Sequence, residues 1–543
     1  EPEAEQSAKD AAANGKRLGD WVVEKGLITA DALAMTLSLQ LGIPFLDLQR
    51  VDVSPAATAR VPAEFCREHA LIPIETDGHT MLVTMADPGN MQVIEELRSM
   101  AGLEIRPAVG IPAEIRRAVN LHYRVSSEIE REVGRVAPVQ RIAQSATDQD
   151  LDVQLSQAPI VRTADLLLAQ AVRDRASDIH LEPEEHALRV RMRIDGVLHE
   201  AMDLPKDVQA ALISRFKVMA DMNIAERRRP QDGQISTEVE GKRIDLRVAT
   251  SDSIHGEMMV LRVLDKSLSL MSLRELGFSP VALERHIRLL RSPFGMVLVA
   301  GPTGSGKTTT LYASIGQLNA SERKIITIED PVEYQFDGIN QIQVNEKAEI
   351  TFANGLRSLM RLDPDVILVG EIRDGDTAHI ASQAALTGHL VLSSIHANDA
   401  AGAVTRLVDL GIEPFLIVSS LVGVVSQRMV RRICPYCVTD AEPSIEEQAA
   451  YEEEIGEQLT SVRKGEGCNL CAATGYIGRI GVFELLTLND ELRKLVLAGA
   501  TSNVLRARAI EDGMITMRRD GMQKVKQGIV TPSEILRSVY SIG

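Results

Sequence analysis

Met296–Ile315, MVLVAGPTGSGKTTTLYASI, is the stretch from which the fold is read. An apolar run enters a glycine-rich turn, and Lys307 with three consecutive threonines leads into a helical pattern. Gly301–Thr308 satisfies G-x-x-x-x-G-K-[ST] in full, with a strand pattern before it and a helix pattern after it. Gly301, Gly304 and Gly306, with Pro302, Thr303 and Ser305 between them, let backbone N–H groups close around phosphate oxygens. Lys307 then reaches the β- and γ-phosphates, Thr308 offers its hydroxyl to Mg²⁺, and Thr309 completes the nucleotide-binding set. The stretch predicts a nucleoside triphosphate site, and the remaining question is what hydrolysis drives.

Bulk properties narrow the answer. The chain has 543 residues, enough for three or four domains. Its formal net charge is −17, which tells against a helicase or DNA translocase, because tracking nucleic acid calls for a basic footprint. No apolar run reaches the ~18–20 residues of a membrane span. Phe415–Ser426, FLIVSSLVGVVS, is shorter and holds three serines. No signal peptide is visible, so the cytoplasm is the default reading.

Composition suggests boundaries. Residues 1–16 read as a disordered leader, residues 17–123 as an N-terminal α/β domain, and residues 124–157 as a charged linker. From 158 to 270 an amphipathic helix at Ile160–Arg175 precedes the alternating strands LRVRMRI, RIDLRVAT and MMVLRVLD, which predicts a small antiparallel sheet with helices. Within 271–433 the runs MVLVA, KIITI, VILVG and HLVLSSI alternate with helical patterns, which predicts a parallel sheet covered on both faces. Residues 434–471 form a cysteine-bearing insertion and 472–543 read as helical.

A nucleotide motor needs carboxylates near the metal and near the attacking water. Glu329 follows the strand KIITI, and Glu371 follows VILVG; both fall beyond the carboxyl ends of predicted parallel strands, where ligands bind in such sheets. His396 ends a third strand on the same side, a place for sensing nucleotide. Cys434 and Cys437, with Cys468 and Cys471, form two C-x₂-C knuckles that suit a closed, structural Zn²⁺ site, and Cys66 reads as a plain thiol. Arg247 and Arg262 belong to a set of strand arginines, with Arg189, Arg191, Arg193 and Arg243, whose spacing by two or four puts several on one sheet face. Arg357 and Arg361, four apart, predict one helix face.

These motifs in this order resemble the ATPases that assemble type II secretion pseudopili and type IV pili. ASDIHLEP, RIDGVLHE and PQDGQI look like the PAS-like domain of that family. GPTGSGKTTTLYA, IEDPVEY, DPDVILVGEIRD and LVLSSIHAND match its Walker A, Asp box, Walker B and His box. The resemblance implies a PAS-like α+β domain before a RecA-like P-loop core, a separate N-terminal α/β domain and a four-Cys zinc insertion. It implies Glu329 as the base that polarises water, Glu371 as the Walker B acid near Mg²⁺, and His396 as the residue coupling nucleotide state to movement. Arg247 and Arg262 would reach the γ-phosphate of ATP. A homo-hexamer is implied, acting on an inner-membrane platform protein and a membrane anchor protein, peripheral to that membrane and without nucleic acid.

Thr29 can cap a helix on which Leu33, Leu37 and Leu41 form an apolar face. Arg17–Gln40 also resembles the cyclic-di-GMP motif of some of these ATPases, through Arg17, Leu18, Gly19, Val22, Val23, Gly26, Leu33, Leu37 and Gln40. The family motif comes in two copies and a clear second is missing, so a docking domain without nucleotide is the favoured reading. Two rivals stand beside the assembly motor. One is a conjugation-type or nucleic-acid-translocating ATPase; the other is a cyclic-di-GMP-responsive scaffold with weak hydrolysis.

Overall fold

The computed structural model describes residues 21–123, 129 and 158–540, apart from 24, 49–50, 52, 59, 240, 266–270 and 319–321. The leader at 1–16, Arg17, Leu18 and Gly19, and nearly all of the linker at 124–157 lie outside the described residues. The chain divides into two compact units, residues 1–131 together with 468–473, and residues 132–467 together with 474–543. No helix among the described residues is long and apolar enough to cross a membrane.

In the first unit β1 (Leu71–Thr76), β2 (Thr80–Met85) and β3 (Glu104–Val109) form one sheet, antiparallel then parallel. A parallel neighbour requires a crossover, and helix Met91–Ala101 supplies it, capped by Asn90 and ended by left-handed Gly102. Leu71, Ile72, Met81, Val83, Leu97 and Ile115 fill the core. Cys66 is buried in it, and burial pushes its thiol up to about 12. Buried and outside any disulfide, it is the plain thiol expected.

Thr29 caps helix Ala30–Leu41 by accepting from the Ala32 N–H at 3.2 Å. The buried side of that helix differs from the expected stripe. Ala34 is buried, Leu33 and Leu37 only half so, and Leu41 is exposed. The reason is that Ala34 and Leu37 pack on Val109, Ile111 and Phe45, whereas Leu41 ends the helix beside left-handed Gly42.

The second unit begins with helix Ala158–Arg173, whose Ala164, Leu167, Leu168 and Ala171 are buried at helical spacing. Six antiparallel strands follow: β4 (Ala176–Pro183), β5 (Ala187–Ile194), β6 (Val197–Pro205), β7 (Gln231–Val239), β8 (Lys242–Ser251) and β9 (Met258–Asp265). They lie in the order β6-β5-β4-β9-β8-β7. Leu188, Val190, Met192 and Ile194 of β5 are buried while Arg189, Arg191 and Arg193 between them face outward, so the basic alternation is one face of a half-buried sheet. Much of it is paired within the domain: Arg189 with Glu184 and Arg191 with Glu182.

Next come β10 (Gly295–Ala300), β11 (Ile325–Glu329), β12 (Asn340–Gln343), β13 (Val366–Ile372), β14 (Leu390–Ile395) and β15 (Leu421–Ile433). Their neighbours are all parallel, in the order β12-β11-β13-β14-β10-β15. On β10, Met296, Leu298 and Ala300 enter one apolar cluster, and Val297 and Val299 enter another. Both faces are therefore covered, which is why the strand reads as an unbroken apolar run. Leu273, Leu276 and Phe278, in the segment before the core, join the second cluster, and Phe278 stacks on Phe483 at 3.8 Å.

Two expectations need correction here. After β16 (Val438–Ala441) and β17 (Val462–Gly465), strand β18 (Tyr476–Thr487) pairs antiparallel with β15 and closes the edge of the seven-stranded sheet. The region from 472 onward is thus helical only after Thr487. Its opening apolar run, VFELL, pairs with β15 at the sheet edge instead of forming a helix. Arg361 lies past the end of helix Phe352–Leu359, so it does not share a helix face with Arg357, which bonds Asn354.

Candidate functional site

The strand order brings distant motifs to one edge. Because β10, β11, β13 and β14 run parallel, the residues that follow or end them, Gly301–Thr308, Glu329, Glu371 and His396, all lie at the carboxyl end of one sheet.

Gly301 leaves β10 where side chains have no room. A Cβ there would lie 2.4 Å from Ser305 Oγ and 2.7 Å from the Gln427 carbonyl oxygen. Gly306, at φ +84°, is the N-cap of helix Lys307–Ile315 and offers no side-chain cap, which leaves the N–H groups of the first turn for an anion. Ser305 Oγ is buried without a partner. Lys307 Nζ donates to the carbonyls of Gly301 and Pro302 at 3.0 and 3.1 Å. Burial holds its ammonium below the usual lysine range, and the Glu371 charge opposes that shift. Neutral carbonyls are weaker partners for a half-buried cation than charged oxygens are.

Glu329 is buried at the end of β11, where its carboxylate accepts from Thr327 Oγ1 at 2.5 Å, from Gln341 Nε2 at 3.2 Å and from the Tyr312 hydroxyl. Burial and the adjacent carboxylate push the Tyr312 hydroxyl well above its ordinary range. A carboxylate has about four acceptor positions, so three fixed donors leave one for water. Glu371 sits where Arg373 bonds one oxygen and His396 Nε2 lies 3.6 Å from the other. Its side chain is largely buried, that of His396 half exposed. Thr308 is exposed on the first helical turn.

Arg247 and Arg262 stand directly opposite each other on β8 and β9. Like charges in that register repel, so each is turned to an acid: Arg247 to Glu333 at 3.3 Å, Arg262 to Asp178 at 3.1 Å. Asp178 also takes Arg193 at 3.5 Å. The two arginines, with Gln234 and Asp232, line a cleft of about 570 Å³. Glu333 lies four residues beyond Glu329, so the Arg247 pair links the first sheet of this unit to the segment that carries the buried carboxylate.

The four cysteines converge: one sulfur from each lies within 4.8 Å of the others. Four Zn–S bonds of ~2.3 Å make a tetrahedron with edges of about 3.8 Å, and the Cys468 and Cys471 sulfurs are 3.7 Å apart. Backbone N–H groups of Gly467 and Cys468 point at Cys437 and Cys471 sulfurs, at 3.3 and 3.1 Å, as donors to thiolates do. The stretch between the knuckles holds β16, β17 and helix Ile445–Ile455 with a Ser444/Glu447 capping box.

Several neighbours of the site were not found by sequence reasoning: Tyr312, Thr327, Gln341, Glu333, Asp178, Arg373 and Gln427. Thr327 had a weak signal, as a polar residue inside the otherwise apolar run IITI. Of the cyclic-di-GMP set, Gln40 is exposed near the end of its helix.

A family model described as type II/IV secretion system protein matches residues 153–537, and an MshEN domain model matches residues 41–129. The type IV pilus assembly ATPase PilB of Myxococcus xanthus is 41% identical over 532 residues, 96% of this chain and 94% of its own. Type II secretion system protein E of Xanthomonas campestris pv. campestris is 42% identical over 527 residues, 94% of this chain and 91% of its own. The X-ray structure of the Legionella pneumophila ATPase DotB shares the fold at 21% identity, with a TM-score of 0.51, over 68% of this chain and 93% of that one.

Proposed function

Because this chain belongs to the type II/IV secretion system protein family and is a secretion ATPase, we propose that it works as a homo-hexamer whose ATP cycle drives assembly of pilin-like subunits at the inner membrane. The observation that carries this reading is the convergence of the Lys307 loop, Glu329, Glu371 and His396 at one sheet edge, with the Arg247–Arg262 cleft in the same unit. Its relatives by sequence are a pilus assembly ATPase and a type II secretion protein. The preceding six-stranded domain is read as PAS-like and the parallel core as RecA-like. The membrane partners are an inner-membrane platform protein and an anchor protein, with the MshEN-type unit as the docking domain.

Roles follow from the contacts. Lys307 exchanges its two carbonyls for β- and γ-phosphate oxygens. Glu329, fixed on three sides, holds the attacking water at its remaining acceptor position and takes its proton. Thr308 and Glu371 would hold Mg²⁺, whose positive charge would offset the negative charge developing on the transferred phosphoryl group. Glu371 releases Arg373 to do so, and His396, beside the same carboxylate, registers the exchange. Arg247 and Arg262 leave Glu333 and Asp178 for the γ-phosphate, which draws the PAS-like domain onto the core. Binding of an ATP analogue to the purified chain tests the site: Lys307→Ala is expected to weaken it by roughly tenfold or more, the worth of a charge-assisted hydrogen bond. Unchanged affinity would remove Lys307 from the site.

Cys434, Cys437, Cys468 and Cys471 hold one structural Zn²⁺. Metal analysis of reduced protein is expected to return one zinc per chain. Isolated zinc-finger peptides gain ~10–16 kcal/mol from the metal. Here β15–β18 pairing already brings the knuckles together, so Cys471→Ser is expected to lower the thermal midpoint by several degrees rather than unfold the chain. Zinc-free protein with an unchanged midpoint would overturn the site.

A further inference from the structure

Gln427 lies on β15, next to the strand that feeds the phosphate loop, and is 1% exposed. Its amide nitrogen donates to the Ser305 carbonyl at 2.5 Å, and its amide oxygen accepts from the Thr310 hydroxyl at 2.7 Å. A backbone carbonyl can only accept, so the nitrogen must face Ser305, and that fixes which way the amide points. The bonds continue behind the loop. Ser314 Oγ donates to the Thr310 carbonyl at 2.7 Å and lies 2.8 Å from His286 Nε2. The single hydroxyl proton of Ser314 is committed to Thr310, so His286 is the donor in that pair. Burial holds His286 down at about 4, so it stays neutral near pH 7 with its one proton on Nε2. The result is a buried run of directed bonds from His286 through the loop helix to Ser305.

A buried glutamine could be no more than a satisfied core residue. Its target argues otherwise. The Ser305 carbonyl and the Gly306 N–H belong to one planar trans peptide, so they point in opposite directions. Gly306, at φ +84°, has the freedom that lets such a peptide turn over. Turned over, it would present an oxygen where an anion needs a donor. The space on that side is also filled, because a Cβ on Gly306 would lie 3.2 Å from Gln427 Nε2.

We propose that Gln427 is a positioning residue for nucleotide: by holding the Ser305 carbonyl it keeps the Gly306 N–H turned into the loop, ready for phosphate. The inference rests on the ATP-site reading above. Phosphate contacts of the loop are made in both bound and transition states, so losing their alignment raises KM and leaves kcat nearly unchanged. A residue that only stabilised the fold would lower the thermal midpoint without moving the KM of the folded enzyme.

The test is steady-state ATP turnover by the full chain carrying Gln427→Leu or Gln427→Glu, alongside Glu329→Gln. Leucine removes both bonds; glutamate keeps an acceptor for Thr310 but sets a carboxylate against the Ser305 carbonyl. Both are expected to raise KM for ATP roughly tenfold or more, with kcat within about threefold of the parent. A folded variant with the parent KM, or with lowered kcat at unchanged KM, overturns the proposal. Should the leucine variant not fold, the glutamate variant decides by the same split. If Glu329→Gln turns over like the parent, the assignment of the base fails, while a raised KM at Gln427 still stands for the loop.

Discussion

Glu329→Gln is expected to lower kcat for ATP by ~10²–10⁴-fold, the usual worth of a positioned general base, with KM within a few-fold of the parent. The amide has nearly the shape of the carboxylate it replaces. It still accepts from Thr327 or Gln341, and the Tyr312 hydroxyl can turn from donor to acceptor. What it lacks is a basic oxygen for the proton of water. The loss therefore falls on the chemical step rather than on binding or folding. Pre-steady-state measurement makes the distinction sharp: the variant should bind ATP at the parent rate and retain it uncleaved. Parent-like turnover would show that another group takes the proton. A collapse in binding would show that Glu329 holds the loop instead.

Arg262→Ala and Arg247→Ala should each cut kcat steeply, towards the ~10³-fold effect of a cation supplied to the transferred phosphoryl group. In the structure their charges are spent on acids, Arg262 on Asp178 and Arg247 on Glu333. Arg247 and Glu333 are both partly exposed, and exposed pairs are worth only ~0–1 kcal/mol; Asp178 is buried but keeps Arg193 as a partner when Arg262 leaves. Holding the arginines in these pairs therefore costs little to undo when a γ-phosphate arrives. Lysine at either position should rescue poorly, since an ammonium cannot make the forked contacts of a guanidinium. The companion substitution is Glu333→Gln, which frees Arg247 without touching the site's carboxylates and should leave turnover at or above the parent. If both alanine variants hydrolyse ATP like the parent, the arginines serve only the solvated face of their sheet.

Much of the site was legible because its parts sit at strand ends, and strand ends can be read locally. An unbroken β-branched run followed by an acid, as at KIITIED or VILVGE, states both a buried parallel strand and the edge at which its acid emerges. The glycine turn before Lys307 carried its own chemistry. The partners packed behind these residues were illegible for a physical reason. Gln427 is 117 residues from Thr310, and Glu333 is 86 from Arg247. These pairs exist only once β15 lies beside β10 and the two sheets are placed, and no local period records that. The antiparallel β18 was missed for a related reason: an edge strand beyond a cysteine insertion has neither the alternation of a hairpin nor the crossover of a parallel strand. The helix at Ala30–Leu41 marks another limit, since its apolar spacing gave the cap at Thr29 correctly but not the residue that is buried, Ala34.

The central claim, that ATP hydrolysis here does mechanical work on a pilin-assembling machine, is tested most directly by Lys307→Ala in the source organism, scoring secreted proteins and surface pili side by side. The account predicts loss of at least one: loss of secretion with pili intact assigns the type II secretion machine, and the reverse assigns the type IV pilus machine. Both processes at parental levels, with the altered protein present at its normal abundance, would contradict it.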